Sequence, residues 1–223
     1  MDDRFIYLLL PLPFAIWTLF VWIFRKDLRP RMLKVGAIGA VAGILNEILY
    51  FQDYWQPVSL FGTGVFSLED MLAGMFIMVF SVTVYDVVFR IHDGNEQTTS
   101  YRRFFTIFGV GLLITLLLTY AAGLYSIVAT SIGLFVLTIY ILIKIPSLWK
   151  RSIFTTGALV VFGFADYFFL FHVLSPGYLE AHFLLTDTQY NPTFFGFMPF
   201  FEVLWFATWG MFAGILIPYL KKK

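Results

Sequence analysis

The sequence contains no cysteine and little charge, and both shortages narrow what the protein can be. Without cysteine there is no disulfide, no thiolate nucleophile and no cysteine-ligated metal site. Asp, Glu, Lys and Arg make up 13% of the 223 residues, about half the share of a soluble domain, and the net charge is +1. A nearly neutral chain has no basic field to attract nucleic acid, so we expect no nucleic-acid partner.

The chain is correspondingly rich in apolar residues. Apolar residues make up 60% of the chain and aromatic residues 21%. Seven runs are long enough to cross a bilayer core of about 30 Å as helices. The sequence therefore predicts an all-α, multi-pass membrane bundle that contacts membrane lipids, in the cell membrane. The predicted helices cover residues 5–24, 32–51, 68–91, 104–122, 125–145, 152–174 and 198–220.

Basic residues predict the orientation of this bundle. Fourteen of the fifteen Lys and Arg residues fall on one side when the seven runs are threaded through a membrane, and only Arg4 lies opposite. By the positive-inside rule the basic side is cytoplasmic, which predicts an outer N-terminus and an inner C-terminus. The first run has no basic leader and no small-residue cleavage site, so we expect it to be a retained helix.

The order of acidic residues suggests a duplication. The same order of features occurs twice, once in runs two to three and once in runs six to seven. An acid lies late in one helix, a long outer loop follows, and a second acid opens the next helix. We therefore predict a single membrane domain, 1–223, with a parallel internal repeat. The predicted parts are a first three-helix repeat at 1–91, an inner loop with a connecting helix at 92–124, and a second three-helix repeat at 125–223.

Five carboxylates inside or at the ends of the runs are the candidate functional residues, because an acid within a membrane costs a few kcal/mol. The three at helix starts have an ordinary explanation, since the helix dipole favours acids there and Ser67 is a candidate cap. Glu47 and Asp166 lie toward helix C-termini, where the dipole disfavours an anion, and no Lys or Arg is close in sequence. The candidate acids are Glu47, Glu69, Asp70, Asp166 and Glu202.

Two local patterns predict structural contacts rather than chemistry. Asp86 precedes Arg90 by four residues on one run, which predicts an ion pair along a helix face. Gly39 and Gly43 have the GxxxG spacing, and the last run contains a second pair at the same spacing. Such pairs predict close helix packing.

The acidic openings of the third and seventh runs resemble the small membrane lycopene cyclases, the heterodimeric or fused carotenoid cyclases. Each half of that family carries a Pro-x-Glu-Glu-like motif at a helix start. Glu69 and Asp70 match the acidic pair of the first half, with serine in place of its proline. In the second half, PFFEVLW, Pro199 and Glu202 match the motif, but Phe201 stands where the first glutamate is expected.

The resemblance implies an isomerase that cyclises a carotenoid or other isoprenoid end group, without redox chemistry or a cofactor. A carboxylic acid would protonate a double bond, aromatic faces would stabilise the carbocation, and a carboxylate would remove a proton. On this basis Glu69 and Asp70 are the expected proton donor and its partner, Glu202 is the second carboxylate, and Glu47 and Asp166 are supporting acids. The expected partner is an apolar isoprenoid or lipid substrate, bound by Trp205, Trp209, Phe168, Phe201 and His172.

Other functions stay open at this point. A seven-helix photoreceptor is disfavoured because the last run has no internal lysine for a retinal Schiff base. An isoprenoid or lipid transporter would suit repeats and buried acids, although the acids gather near one face and we expect no run to be broken by Gly or Pro. A metal-dependent enzyme could use the same carboxylates with His172, but no H-x-x-H-like cluster is present and we expect no metal. The sequence leaves ring type and homo-oligomerisation undecided.

Overall fold

A computed structural model describes residues 3–62, 64–92, 100–186 and 188–221 of the chain. In this part seven helical segments are long and apolar enough to cross a membrane. Backbone polar groups find no water in hydrocarbon, so apolar runs of this length fold as helices that satisfy them internally. The predicted all-α architecture with seven membrane-length helices is confirmed. The segments are Asp3–Phe24, Lys26–Asp53, Leu68–Val88, Tyr101–Ala121, Ser126–Lys144, Pro146–Leu174 and Phe200–Lys221.

These segments are composed of α-helices with short irregular turns at some ends. Residues 93–99 of the predicted inner loop lie outside the described residues. Short 3-10 turns at Lys26–Leu28 and Pro146–Leu148 precede the second and sixth segments, and π-helical turns at Leu117–Ala121 and Phe168–Leu174 end the fourth and sixth. The α-helices are α1 (Asp3–Leu9), α2 (Leu12–Phe24), α3 (Arg29–Asp53), α4 (Leu68–Val88), α5 (Tyr101–Leu116), α6 (Ser126–Lys144), α7 (Trp149–Tyr167), α8 (Tyr178–His182) and α9 (Phe200–Lys221).

Proline interrupts the first segment, which corrects the expectation that no run is broken. The segment divides at Pro11 into α1 and α2. Proline lacks an N–H group and its ring clashes with the preceding turn, so a helix tends to stop before it. Pro218 also lies inside a helix, α9. As a result α1 is a short separate helix.

The chain divides into two compact units, and each draws on both halves of the sequence. The first unit comprises Met1–Phe80 and Val161–Val203, and the second comprises Ser81–Val160 and Leu204–Lys223. All five candidate carboxylates belong to the first unit. This division follows spatial contacts rather than sequence order, and the internal repeat stays a prediction.

In the first unit, α3 and α4 pack with their backbones in contact. A Cβ atom at Gly39 would lie 2.6 Å from Cβ of Met78, and one at Gly43 would lie 3.0 Å from the carbonyl carbon of Asp70. Only a residue without a side chain permits this approach, so the close packing predicted from the GxxxG spacing is confirmed. The contact brings Glu47, one turn beyond Gly43, close to the start of α4.

The two long connections of the first unit are joined by backbone hydrogen bonds. The N–H group of Gln56 donates to the carbonyl of His182 at 2.7 Å, and the N–H group of Leu184 donates to the carbonyl of Tyr54 at 2.8 Å. Trp55 pairs with Phe183 between these two bonds as an isolated β-bridge. The pairing fixes the position of Tyr54 and Trp55 just beyond the end of α3.

A small hairpin leads into α9. Strand β1 (Thr193–Phe194) pairs antiparallel with β2 (Met198–Pro199). The strand ends are separated by a tight turn in which Phe195 and Gly196 have φ angles of 54° and 77°. Two successive positive φ angles suit the twist of a short hairpin. The hairpin sets the point at which α9 begins.

In the second unit, α9 packs against α7 through small residues. A Cβ atom at Gly210 would lie 2.8 Å from Cα of Thr156, and one at Gly214 would lie 2.6 Å from Oγ1 of Thr155. The second glycine pair therefore also marks close helix packing, as its spacing predicted.

The ion pair of Asp86 differs from the one expected. Asp86 pairs with Arg151 of α7, whose Nε also donates to the carbonyl of Gly214 at 2.8 Å. The predicted pair with Arg90 is wrong because α4 ends at Val88, and Arg90 has a φ angle of 53° that takes it off the helical path. The partner of Asp86 is thus distant in sequence.

Candidate functional site

Two buried carboxylates face each other in the first unit. Glu47 lies in the last turns of α3 and Asp70 in the first turn of α4, and their carboxyl groups are close enough to interact electrostatically. In the described part of the chain, no Lys or Arg pairs with either. Two neighbouring buried carboxyl groups without a cation repel each other when both are ionised. The arrangement therefore favours a pair that retains one proton.

Asp70 is surrounded by hydrogen-bond donors. The Tyr7 hydroxyl of α1 donates to Oδ1, and the Ser67 hydroxyl donates to Oδ2. Ser67 Oγ also accepts the backbone N–H of Asp70 at 3.0 Å, which confirms the predicted cap of α4. Because both oxygens of Asp70 already accept an O–H group, Asp70 is suited to be the ionised member of the pair.

Glu47 has fewer hydrogen-bond partners than Asp70 and is therefore the better holder of the proton. Trp55 Nε1 donates to its Oε2 at 2.9 Å, while no hydrogen-bond donor among the described residues reaches its Oε1. The edge of the Trp55 ring meets Tyr7, with 5.0 Å between centroids and an interplanar angle of 90°. Glu47 is only 2% exposed. It is thus a buried acid with one oxygen available, set beside two aromatic rings.

Glu69, adjacent to Asp70, makes a different kind of contact. Its Oε1 accepts the backbone N–H of Leu60 at 2.6 Å, and the residue is fully buried. The bond ties the connection after α3 to the first turn of α4. Glu69 is therefore placed to hold this connection against α4.

Glu202 forms a second centre with two tyrosines. The Tyr54 and Tyr167 hydroxyls interact with its carboxyl group. The preceding residue, Phe201, donates its backbone N–H to Oδ1 of Asn191 at 2.8 Å, which caps the start of α9. Glu202 is also close enough to Glu47 to interact electrostatically. The first unit thus contains two linked carboxylate centres.

The remaining predicted site residues make other contacts. Asp166 is buried, and its Oδ2 has no hydrogen-bond partner in the described ranges. Phe168 and His172 are exposed and stack with centroids 5.2 Å apart. Trp205 and Trp209 belong to the second unit, where their rings stack at 5.7 Å. The substrate-binding role predicted for these aromatic residues stays a prediction.

Among the described residues, no group of three or more His, Asp or Glu side chains could hold a metal ion. The carboxylates have hydroxyl, indole and backbone N–H partners.

Several residues of the two centres could not be identified from the sequence. The chain has 12 Tyr, 6 Trp and 28 Phe residues, so no single aromatic residue stands out. The cap formed by Asn191 bridges ten positions around a hairpin, well beyond the local spacing of ordinary caps. The residues that were missed are Tyr7, Tyr54, Trp55, Tyr167 and Asn191.

Comparisons of the chain with protein-family models, with curated proteins and with solved structures found no match. The resemblance to membrane carotenoid cyclases therefore stays a prediction. The function therefore has to be inferred from the chemistry of the two carboxylate centres.

Proposed function

We propose that this protein is a membrane isomerase that cyclises an isoprenoid end group, lycopene-like, by protonation and deprotonation. The observation that carries the proposal is the buried Glu47–Asp70 pair, which has no Lys or Arg partner among the described residues, an arrangement that favours retention of one proton. A proton held in an apolar surrounding is what addition to an isolated double bond requires.

Hydrogen bonding supports separate roles within the pair. Glu47 gives its proton to a carbon atom of the substrate double bond, and the neighbouring charge of Asp70 favours the acid form of Glu47 beforehand. Tyr7 and Ser67 hold Asp70 in place through their hydroxyl groups. Glu69, expected to be the donor from the motif resemblance, is proposed here as the residue that anchors the loop at Leu60.

The intermediate of such a reaction is a carbocation. After protonation, the electron pair of a neighbouring double bond forms the ring C–C bond, and the positive charge moves into the ring. Aromatic faces attract a cation through their quadrupole. Trp55 and Tyr7 lie beside the acid pair, and Trp55 also packs on Phe183 with centroids 5.3 Å apart. These rings are proposed to stabilise the charge.

Loss of a C–H proton to a carboxylate then restores a double bond. Glu202 is proposed as this base, because it lies in the same unit and interacts with Glu47. One proton is gained and one is lost, so the product has the formula of the substrate and no oxidant is needed. The Tyr167 hydroxyl would stabilise the carboxylate before it reacts.

We further propose that the N-terminus faces the outside of the cell and that the helices form a parallel repeat. The distribution of Lys and Arg supports the orientation. The glycine-mediated packing of α3 on α4, and separately of α9 on α7, supports the repeat because the equivalent helix pairs use small residues.

Co-expression in a lycopene-accumulating bacterium, followed by HPLC of the pigments, tests the proposed reaction. The wild type should give monocyclic or bicyclic carotenoid. Glu47→Gln should give none while reaching the membrane in normal amount, and Glu180→Gln, which alters an exposed acid of the same unit, should behave as wild type. Unchanged lycopene with the wild-type protein in the membrane would refute the proposal.

A further inference from the structure

Two buried hydrogen-bonding groups near Glu202 have no part in the proton transfers. Asn191 is 0% exposed and Tyr54 is 1% exposed. Among the described residues, neither Nδ2 of Asn191 nor the Tyr54 hydroxyl has a hydrogen-bond partner. A buried polar group without a hydrogen-bond partner destabilises the fold. Two such groups at one place are available to a partner from outside the chain.

The orientation of the Asn191 amide is fixed by the fold. Its Oδ1 accepts the backbone N–H of Phe201 at 2.8 Å, so a flipped amide would lose the cap of α9. The NH2 group therefore has to face away from the helix start, on the side of the Tyr54 hydroxyl. The Tyr54 hydroxyl is in turn close enough to Glu202 to interact electrostatically.

The three groups define what kind of atom they can bind. Asn191 offers N–H donors, Tyr54 offers an O–H donor and Glu202 offers acceptor oxygens. Burial and the charge of Glu202 raise the pKa of Tyr54 well above its usual range, so its hydroxyl stays protonated at neutral pH. An alcohol oxygen can accept from the first two groups and donate its own proton to the third.

The side chains that contact the Tyr54 ring are aromatic. The Tyr54 ring packs edge-on against Phe183 with centroids 5.6 Å apart, and lies 6.5 Å from the ring of Phe201. An apolar molecule with one hydroxyl group could contact the aromatic rings and hydrogen-bond to the polar groups. A hydrocarbon would leave the N–H and O–H donors unpaired.

We infer that Asn191, Tyr54 and Glu202 form a subsite for the hydroxyl group of an isoprenoid alcohol. The inference rests on the proposed function and extends its substrate class from hydrocarbons to hydroxylated isoprenoids. The role of Asn191 and Tyr54 is to bind and orient the end group.

Binding of two matched ligands to the purified protein tests the subsite. The probes are geranylgeraniol and the hydrocarbon of the same carbon skeleton without the hydroxyl group, measured by quenching of tryptophan fluorescence. The wild type should bind the alcohol about 3- to 10-fold more tightly, which is the effect of one or two neutral hydrogen bonds.

Two variants remove one donor each. Tyr54→Phe keeps the ring and its packing, and Asn191→Asp keeps the oxygen that accepts the Phe201 N–H group. Each should abolish the preference for the alcohol and leave hydrocarbon binding unchanged. Tyr178→Phe is the matched control, because it removes another buried tyrosine hydroxyl without a partner among the described residues, away from Glu202. This control should keep the preference.

Equal binding of the two ligands to the wild type would overturn the inference, and it is the result expected if an internal water fills the subsite. Loss of the preference in Tyr178→Phe to the same extent as in Tyr54→Phe would also overturn it. Because the assay measures binding without turnover, its result is separate from that of the pigment assay. A preference for the alcohol in a protein that leaves lycopene unchanged would refute the proposed cyclisation and retain the subsite.

Discussion

Replacement of Gly43 by alanine should separate the acid pair without touching either carboxylate. Gly43 lies one turn before Glu47 on α3 and faces the backbone of α4. A Cβ atom there would overlap the carbonyl oxygen of Asp70 and lie 3.2 Å from Cα of Gly74. Neither atom can rotate away because both belong to the α4 backbone. The two helices therefore have to move apart.

The size of the effect follows from this overlap. Relieving it requires a displacement on the order of 1 Å, and a misplacement of that size near a reacting group costs about 100-fold in rate. Overpacking of a buried contact also costs about 1–3 kcal/mol of stability. We therefore expect Gly43→Ala to lower carotenoid conversion about 100-fold and to lower the melting temperature of the protein.

Conversion per amount of membrane protein and the melting temperature in detergent are the two measurements. Gly36→Ala on the same helix is the matched control, because a Cβ atom there meets only the side chains of Met75 and Val79, at 3.3 and 3.4 Å. These side chains can shift, so the control should stay close to wild type. If Gly43→Ala kept wild-type conversion and melting temperature, the assignment of the α3–α4 contact as the support of the acid pair would be wrong.

Three further substitutions separate the roles of individual side chains. Tyr7→Phe removes the hydroxyl that holds Asp70 and should lower conversion about 10- to 100-fold, since a hydrogen bond to a charged group contributes about 1.5–3 kcal/mol; wild-type conversion would contradict the positioning role. Glu202→Gln should abolish conversion with normal expression, and retained conversion would exclude Glu202 as the base. Arg151→Leu leaves Asp86 buried without this cation and should cost about 3–5 kcal/mol of stability, read as a lower melting temperature that a second change, Asp86→Asn, partly restores.

Features set by local sequence were predictable. Membrane-length helices follow from runs of apolar residues, because a backbone in hydrocarbon has to form all its hydrogen bonds internally. Ser67 was recognisable as a cap because its bond to the N–H of Asp70 spans only three residues. Gly39 and Gly43 marked a helix contact by their spacing, although nothing in the spacing identified α4 as the partner.

Features set by distant contacts were not predictable. Asp86 has a basic residue at the ideal local spacing, yet its partner is Arg151, which tertiary packing brings from another helix. Tyr7 and Trp55 gave no signal among so many aromatic residues, although they bind the two members of the acid pair. Site residues of this kind are defined by which helices meet, and a single sequence does not contain that information in readable form.

Conversion of substrate in D2O tests the central claim most directly. If Glu47 supplies a proton that exchanges with solvent, each ring formed in D2O should contain one deuterium at the protonated carbon, detected by mass spectrometry of the cyclic product. Glu47→Gln should give no cyclic product under the same conditions. A cyclic product without deuterium, or labelled product from Glu47→Gln in wild-type amount, would contradict proton transfer from the Glu47–Asp70 pair.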